Sequence, residues 1–162
     1  MIRLAPRSRS RVFKLLFATL PLFAVAAGQS SDGVLHVAVD NVRDRTGRVH
    51  VDICTQKQFL KDCPIAADGP ARVGQSTVTL TGLKPGRYAA QVFYDQNGNG
   101  KVDRALFGVP KEGVGFSNDA KIRLGPPKWE EAFFDYDGRE RTIRLRLRYF
   151  IGPDAPTATT AK

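Results

Sequence analysis

Leu35, Val37 and Val39 alternate with His36, Ala38 and Asp40, and Val49, Val51 and Ile53 alternate with His50, Asp52 and Cys54. A two-residue period places successive side chains on opposite faces of an extended chain, so each run predicts a half-buried β-strand. Asp44-Arg45-Thr46-Gly47 between them supplies turn chemistry, with Gly47 able to take a positive φ, and the two runs read as a β-hairpin. Strand character returns at Ser76 to Thr81 through Val78 and Leu80, and Leu83-Lys84-Pro85-Gly86 then turns the chain into Arg87 to Tyr94. There Tyr88, Ala90, Val92 and Tyr94 share one face and Phe93 takes the other. Later candidates are Lys121 to Leu124, the aromatic segment Trp129 to Tyr136, and Thr142 to Tyr149. In the last of these, Ile143, Leu145, Leu147 and Tyr149 point inward, and Arg144, Arg146 and Arg148 point outward.

Two long stretches lack this rhythm. Thr55 to Gly74 holds Pro64, Gly69 and Pro70 and reads as a connection with one helical turn near Phe59. Gly98 to Asn118 is rich in glycine, proline and polar turn formers around Leu106-Phe107 and Phe116, and reads as loop. Six or seven short strands without a long amphipathic helix predict an all-β fold, a Greek-key antiparallel β-sandwich of transthyretin or immunoglobulin type with about seven strands.

The ends differ from this domain. Arg3, Arg7, Arg9, Arg11 and Lys14 precede the apolar run Leu15 to Ala26, which closes on the small residues Ala24-Val25-Ala26. That order is a signal peptide over residues 1–27, cleaved near Ala26 or Ala27, and the apolar run is shorter than the roughly 20 residues that span a bilayer. The domain is then 28–150, with a disordered C-terminal tail over 151–162, and the expected location is periplasmic or secreted with no transmembrane segment after cleavage. Five of the 25 basic residues and none of the 16 acidic ones lie in the first 27 positions, so cleavage lowers the net charge from +9 to +4. A nucleic-acid partner loses most of its support by that change. Cys54 and Cys63, the only cysteines, are expected to form a disulfide in an oxidising compartment.

The sharpest chemical motif is Asp95-Gln96-Asn97-Gly98-Asn99-Gly100-Lys101-Val102-Asp103. Asp95, Asn97, Asn99 and Asp103 put side-chain oxygens at loop positions one, three, five and nine, Gly100 stands at six, and Lys101 offers its carbonyl at seven. One short loop can wrap calcium in this way. Position twelve is Leu106 where a bidentate acid is wanted, so Glu112 or Asp119 would have to fold back. The alternative is a plain Asn-Gly turn between strands.

Other candidates carry less. The glycines of 107–118 are able to form an anion nest but also mark any sharply bending loop. His36 and His50, placed on the expected hairpin, stand roughly 13 Å apart at ~3.3 Å per residue and cannot share zinc. The row Arg144, Arg146 and Arg148 suits an anionic surface, or else keeps an edge strand from pairing with another molecule. No serine or cysteine stands in a nucleophile context, so a non-catalytic protein is expected.

Gly-Leu-Lys-Pro-Gly-Arg-Tyr-Ala-Ala-Gln-Val (82–92), the 95–103 motif, Phe-Gly-Val-Pro-Lys-Glu-Gly-Val-Gly-Phe-Ser-Asn (107–118) and Thr-Ile-Arg-Leu-Arg-Leu-Arg-Tyr (142–149) occur in that order. Together they resemble a bacterial family of exported proteins, domain-of-unknown-function family 2141, over about residues 33–150. The turn running into an Asp/Asn/Gly loop also looks like transthyretin-like sandwiches such as carboxypeptidase regulatory and collagen-adhesin B-type domains. That resemblance implies a binding, spacer or adhesion module. The functional expectation is therefore an exported module that binds an envelope component or partner protein, with calcium at the 95–103 loop. The alternatives are a metal-assisted hydrolase using the 95–118 loops with Glu112, and a structural envelope protein.

Overall fold

The structure is a computed structural model that describes residues 33–156. The expected signal peptide over 1–27 and the last six residues of the expected tail lie outside them. Eight strands form two sheets: β1 (Val34–Val42), β2 (Arg48–Cys54), β3 (Ile65–Pro70), β4 (Gly74–Thr81), β5 (Gly86–Asp95), β6 (Val114–Phe116), β7 (Phe134–Tyr136) and β8 (Arg141–Arg146). One sheet has the order β4-β1-β8, and the other has the order β3-β2-β5-β6, with β7 also paired to β5. The chain is an all-β sandwich. Among the described residues, helix is confined to the single turn α1 (Trp129–Ala132) and two 3-10 turns at Leu106–Gly108 and Ser117–Asp119.

In β1, β2, β4, β5 and β8 the inward face is the one the alternation marks. Leu35, Val37, Val39, Val78, Leu80, Ile143 and Leu145 from one sheet pack on Val49, Val51, Ile53, Tyr88, Ala90, Val92 and Tyr94 from the other. Burying such side chains fully contributes roughly 1.5–3 kcal/mol each and is the main force closing the two layers.

Several expectations are corrected. β1 and β2 are not a hairpin: β1 pairs with β4 and β8, while β2 pairs with β3 and β5, so the turn at 43–47 carries the chain from one sheet to the other. Alternation shows which face of a strand is buried but not which strand lies beside it. The antiparallel expectation fails at one pair, because β1 and β8 run parallel, with Val37 opposite Ile143. β3 lies inside the stretch expected to be a connection. Most of its side chains are exposed, so it leaves no apolar rhythm, and backbone pairing to β2 holds it, with Ile65 opposite Ile53 and Gly69 opposite Val49. β6 likewise lies within the expected 98–118 loop, and Lys121 to Leu124 is not a strand.

The two histidines lie on the outer faces of different sheets, and this separation, rather than distance along one ladder, keeps them apart. His36 contacts Thr79 at 2.9 Å and Glu140 at 3.3 Å. His50 lies between Asp68 at 2.8 Å and Asp52 at 3.1 Å. The arginine row is partly neutralised: Arg144 faces Asp40 at 3.6 Å, Arg146 faces Asp154 at 3.8 Å and Arg148 faces Asp119 at 3.5 Å. β8 is an edge of its sheet, so exposed arginines there also oppose pairing with a second molecule.

Residues 151–156 do not run free. Asn41 sits at a bulge in β1 with φ 69, and its amide donates to the Leu147 carbonyl at 2.7 Å and to Asp154 at 2.9 Å. Its oxygen accepts the Ala155 amide at 2.9 Å.

The second apolar cluster lies on the outer face of the larger sheet, where Phe59, Ala89, Ala120 and Ala132 are buried beside Phe116 and Trp129. The Cys54–Cys63 disulfide, with its cysteines nine positions apart, anchors the turn that carries Phe59. The expected helical turn is a hydrogen-bonded turn rather than a helix, with the Phe59 amide donating to the Thr55 carbonyl at 3.0 Å and Leu60 leaving it at φ 64. Replacing both cysteines with alanine should lower unfolding free energy by about 2–3 kcal/mol in a denaturant titration; an unchanged midpoint would mean that packing alone seats the turn. His50 gives a pH signature. The hydrogen bond to Asp52 raises its pKa, burial opposes that, and Asp68 adds to the rise. A folded-state pKa above the unfolded value means the stabilisation is fully present below about pH 6.5 and is lost as pH rises through the folded value. The difference in melting temperature between wild type and His50→Gln should therefore be largest at mildly acidic pH and shrink above neutrality.

Candidate functional site: the 95–112 loop

Pairing of β2 with β5 places Arg48 directly opposite Asp95 at the end of the sheet. The side chain of Asp95 is fully buried, and its Oδ2 accepts from Arg48 Nε at 3.0 Å. The same carboxylate organises the loop that follows: Oδ1 accepts the Asn99 amide at 3.0 Å and Oδ2 the Gly100 amide at 2.9 Å. Burial alone would raise the pKa of Asp95, but the Gly100 amide, Arg48 and the Asn99 amide together hold it below the ordinary aspartate value.

The rest of the loop is laced by its own side chains. Asn97 Oδ1 accepts the Asn99 amide at 3.1 Å, and Asn99 Oδ1 accepts the Lys101 amide at 2.8 Å. The Asn97 and Asn99 amide groups donate to the two oxygens of Asp103 at 2.8 and 3.0 Å. All five residues expected from the sequence are thus gathered in one tight loop, with Asp95 and Asp103 at its two ends.

Glu112 returns to this loop and Asp119 does not. Glu112 is 6% exposed and bridges the loop ends, accepting the Gln96 amide at 3.1 Å through Oε1 and the Asp103 amide at 3.0 Å through Oε2. Burial raises its pKa, the two amides oppose that, and the charges of Asp103 and Asp95 add to the rise. Asp119, in the 3-10 turn Ser117–Asp119, reaches β8 instead and accepts the Arg146 amide at 2.9 Å.

Sequence reasoning missed three contributors. Arg48 becomes visible only once the β2–β5 register is known. Asp44 accepts from Gln96 at 3.1 Å and from the Tyr94 hydroxyl at 2.5 Å, tying the loop to the β1–β2 turn. Gly47, expected as a hairpin glycine, instead lets two backbones meet: at φ 71, a Cβ there would lie 2.1 Å from the Asp95 carbonyl oxygen. Of the two readings of the 107–118 glycines, the structural one describes Gly113 and Gly115. A Cβ on Gly113 would meet the Tyr149 ring at 2.5 Å and one on Gly115 would meet Leu145 at 2.8 Å, so both are needed for close packing.

Among the described residues no group of three or more His, Cys, Asp or Glu side chains is placed to hold a metal ion. A hard cation at this loop would depend on asparagine and carbonyl oxygens beside the carboxylates. Gly47→Ala should destabilise the fold by about 1–3 kcal/mol through its left-handed backbone and the clash with Asp95. Hydrogen exchange should locate the loosening in residues 95–100, and unchanged protection there would remove Gly47 from the site.

Neither the curated proteins nor the solved structures contain a match to this chain. A family model described as "Uncharacterized protein conserved in bacteria" (DUF2141) matches residues 37–144, which run from β1 into β8 and include the whole loop. The chain belongs to that family.

Proposed function

We propose that this chain is an exported, non-catalytic β-sandwich module, periplasmic or secreted, that binds an envelope component or partner protein and is stiffened by calcium at the 95–103 loop. The observation that carries the reading is the return of Glu112 to both ends of that loop. It adds a third negative charge at the ends of the loop, without forming a three-acid ligand cluster, and Arg48 is the single cation paired with Asp95, Asp103 or Glu112 among the described residues. An excess of buried and half-buried negative charge on hard oxygens suits calcium, and two ligating carboxylates suit the weak affinities of extracellular modules, on the order of 10⁻⁴–10⁻³ M. Asp95, Asn97, Asn99, the Lys101 carbonyl and Asp103 would supply the ligands, with Glu112 adding negative charge at the loop ends rather than a ligand oxygen.

Support for export comes from the charged, apolar and small-residue order of the first 27 positions and from a disulfide, a bond that persists in oxidising compartments. Among the described residues no helix is long and apolar enough to cross a membrane. A non-catalytic role agrees with how the acids are used, since every oxygen of Asp95, Asp103 and Glu112 accepts a hydrogen bond that shapes the loop.

Thermal melts with calcium and with chelator test the reading. Calcium at about 100 times its Kd should stabilise the fold by about 2.7 kcal/mol, a rise of several degrees in Tm. Asp95→Ala with Asp103→Ala should abolish the rise, and Asp103→Ala alone, which removes contacts only to Asn97 and Asn99, guards against a folding defect. Burial, with the charges of Asp103 and Asp95, raises the pKa of Glu112, so its negative charge is lost from the loop ends as pH falls, beginning above the range of an ordinary glutamate, and the calcium effect should fade with it. A double variant that still responds would place the ion elsewhere.

A further inference from the structure

Leu106 and Phe107 are 83% and 102% exposed, although both are large and apolar. They stand at the tip of a small built prong. Arg104 and Pro110 form an antiparallel bridge at its base, and the Ala105 amide donates to the Val109 carbonyl at 2.8 Å. The Gly108 amide donates to the Ala105 carbonyl at 3.2 Å, and the Arg104 guanidinium to the Gly108 carbonyl at 2.9 Å. Phe107 itself takes φ 60, a left-handed conformation that sterically disfavours a bulky side chain and that asparagine or glycine would adopt more readily. A phenylalanine held there has no contact in the fold that compensates, so its role lies outside the fold.

The surroundings identify the occupant. Lys101, Arg104 and Lys111 are exposed around the base of the prong, and none forms an ion pair among the described residues. The neighbouring acids turn inward: Asp95 and Glu112 are buried, and Asp103 is engaged by Asn97 and Asn99. A protein partner would need a pocket shaped to this narrow, convex tip, whereas a fluid lipid interface accepts it without one. Cations set back from an apolar tip lie at the depth of the headgroup phosphates when the tip enters the acyl boundary.

We propose that the Leu106–Phe107 prong inserts into the surface of an anionic phospholipid membrane, with Lys101, Arg104 and Lys111 against lipid phosphates. This deepens the binding-module reading by naming the partner's chemistry, and it does not depend on a bound ion.

The test is co-sedimentation of the full mature chain with vesicles of mixed phosphatidylglycerol and phosphatidylcholine, against pure phosphatidylcholine, in chelator. Running it without calcium lets loss of lipid binding and loss of the calcium response read separately. Wild type should partition to the mixed vesicles and be released by high salt. Leu106→Ser with Phe107→Ser should reduce partitioning by at least about tenfold while leaving Tm unchanged, because both side chains are exposed. The Phe107→Trp variant should bind, and its indole emission should shift to the blue on adding vesicles. Absence of partitioning, equal partitioning by the double serine variant, or an unshifted emission from the Phe107→Trp variant would each overturn the proposal. So would concentration-dependent self-association lost in the double serine variant, which would assign the prong to a second copy of the chain.

Discussion

The pairing of β2 with β5, in the register that sets Arg48 opposite Asp95, fixes more of this molecule than any other contact. It buries an aspartate at the last position of a central strand, where an unpaired charge would be strongly unfavourable. Arg48 and two main-chain amides satisfy that carboxylate, and those amides belong to the next five residues. The shape of the loop is thus a consequence of where a strand ends and what stands across from it. Glu112 then closes the loop by capping amides at both ends, so the segment is framed by two buried carboxylates.

The remainder of the sandwich supports this arrangement from two sides. The β1–β2 turn reaches the loop through Asp44, Tyr94 and the close approach at Gly47, which links the smaller sheet to the end of the larger one. On the other side, the end of β8 passes Gly113 and Gly115 at distances that only glycine permits, and the Arg148 and Val114 backbones bond to each other there. The disulfide and the Phe59 cluster lie along the outer face of the same sheet and stiffen β2 and β5 from outside. A loop braced by both layers is a rigid base, and the 104–110 prong projects from that base with its apolar tip in solvent.

Much of the loop was legible in the sequence because its geometry is local. Asn97, Asn99 and Gly100 act on backbone groups within a few positions, so their spacing alone carries the information. Glu112 was only one of two acids able to return, and the choice between it and Asp119 depended on where β6 and β8 lie. The missed strand β3 shows the opposite case: an exposed edge strand is held by main-chain bonds to its neighbour and needs no apolar rhythm of its own.

The amino-acid order by itself determined the buried faces of the long strands, hence the all-β class, and it determined the cysteine pair and the internal lacing of the 95–103 loop. These follow from short-range periodicity and from the small set of residues able to form a disulfide or a tight turn. Only the tertiary structure decided that β1 and β2 belong to different sheets, that β8 runs parallel to β1, that Arg48 meets Asp95, and that Leu106 and Phe107 are left in solvent. Each of these depends on which distant segments become neighbours, a choice governed by how two whole layers pack and one that no local pattern of polar and apolar residues encodes.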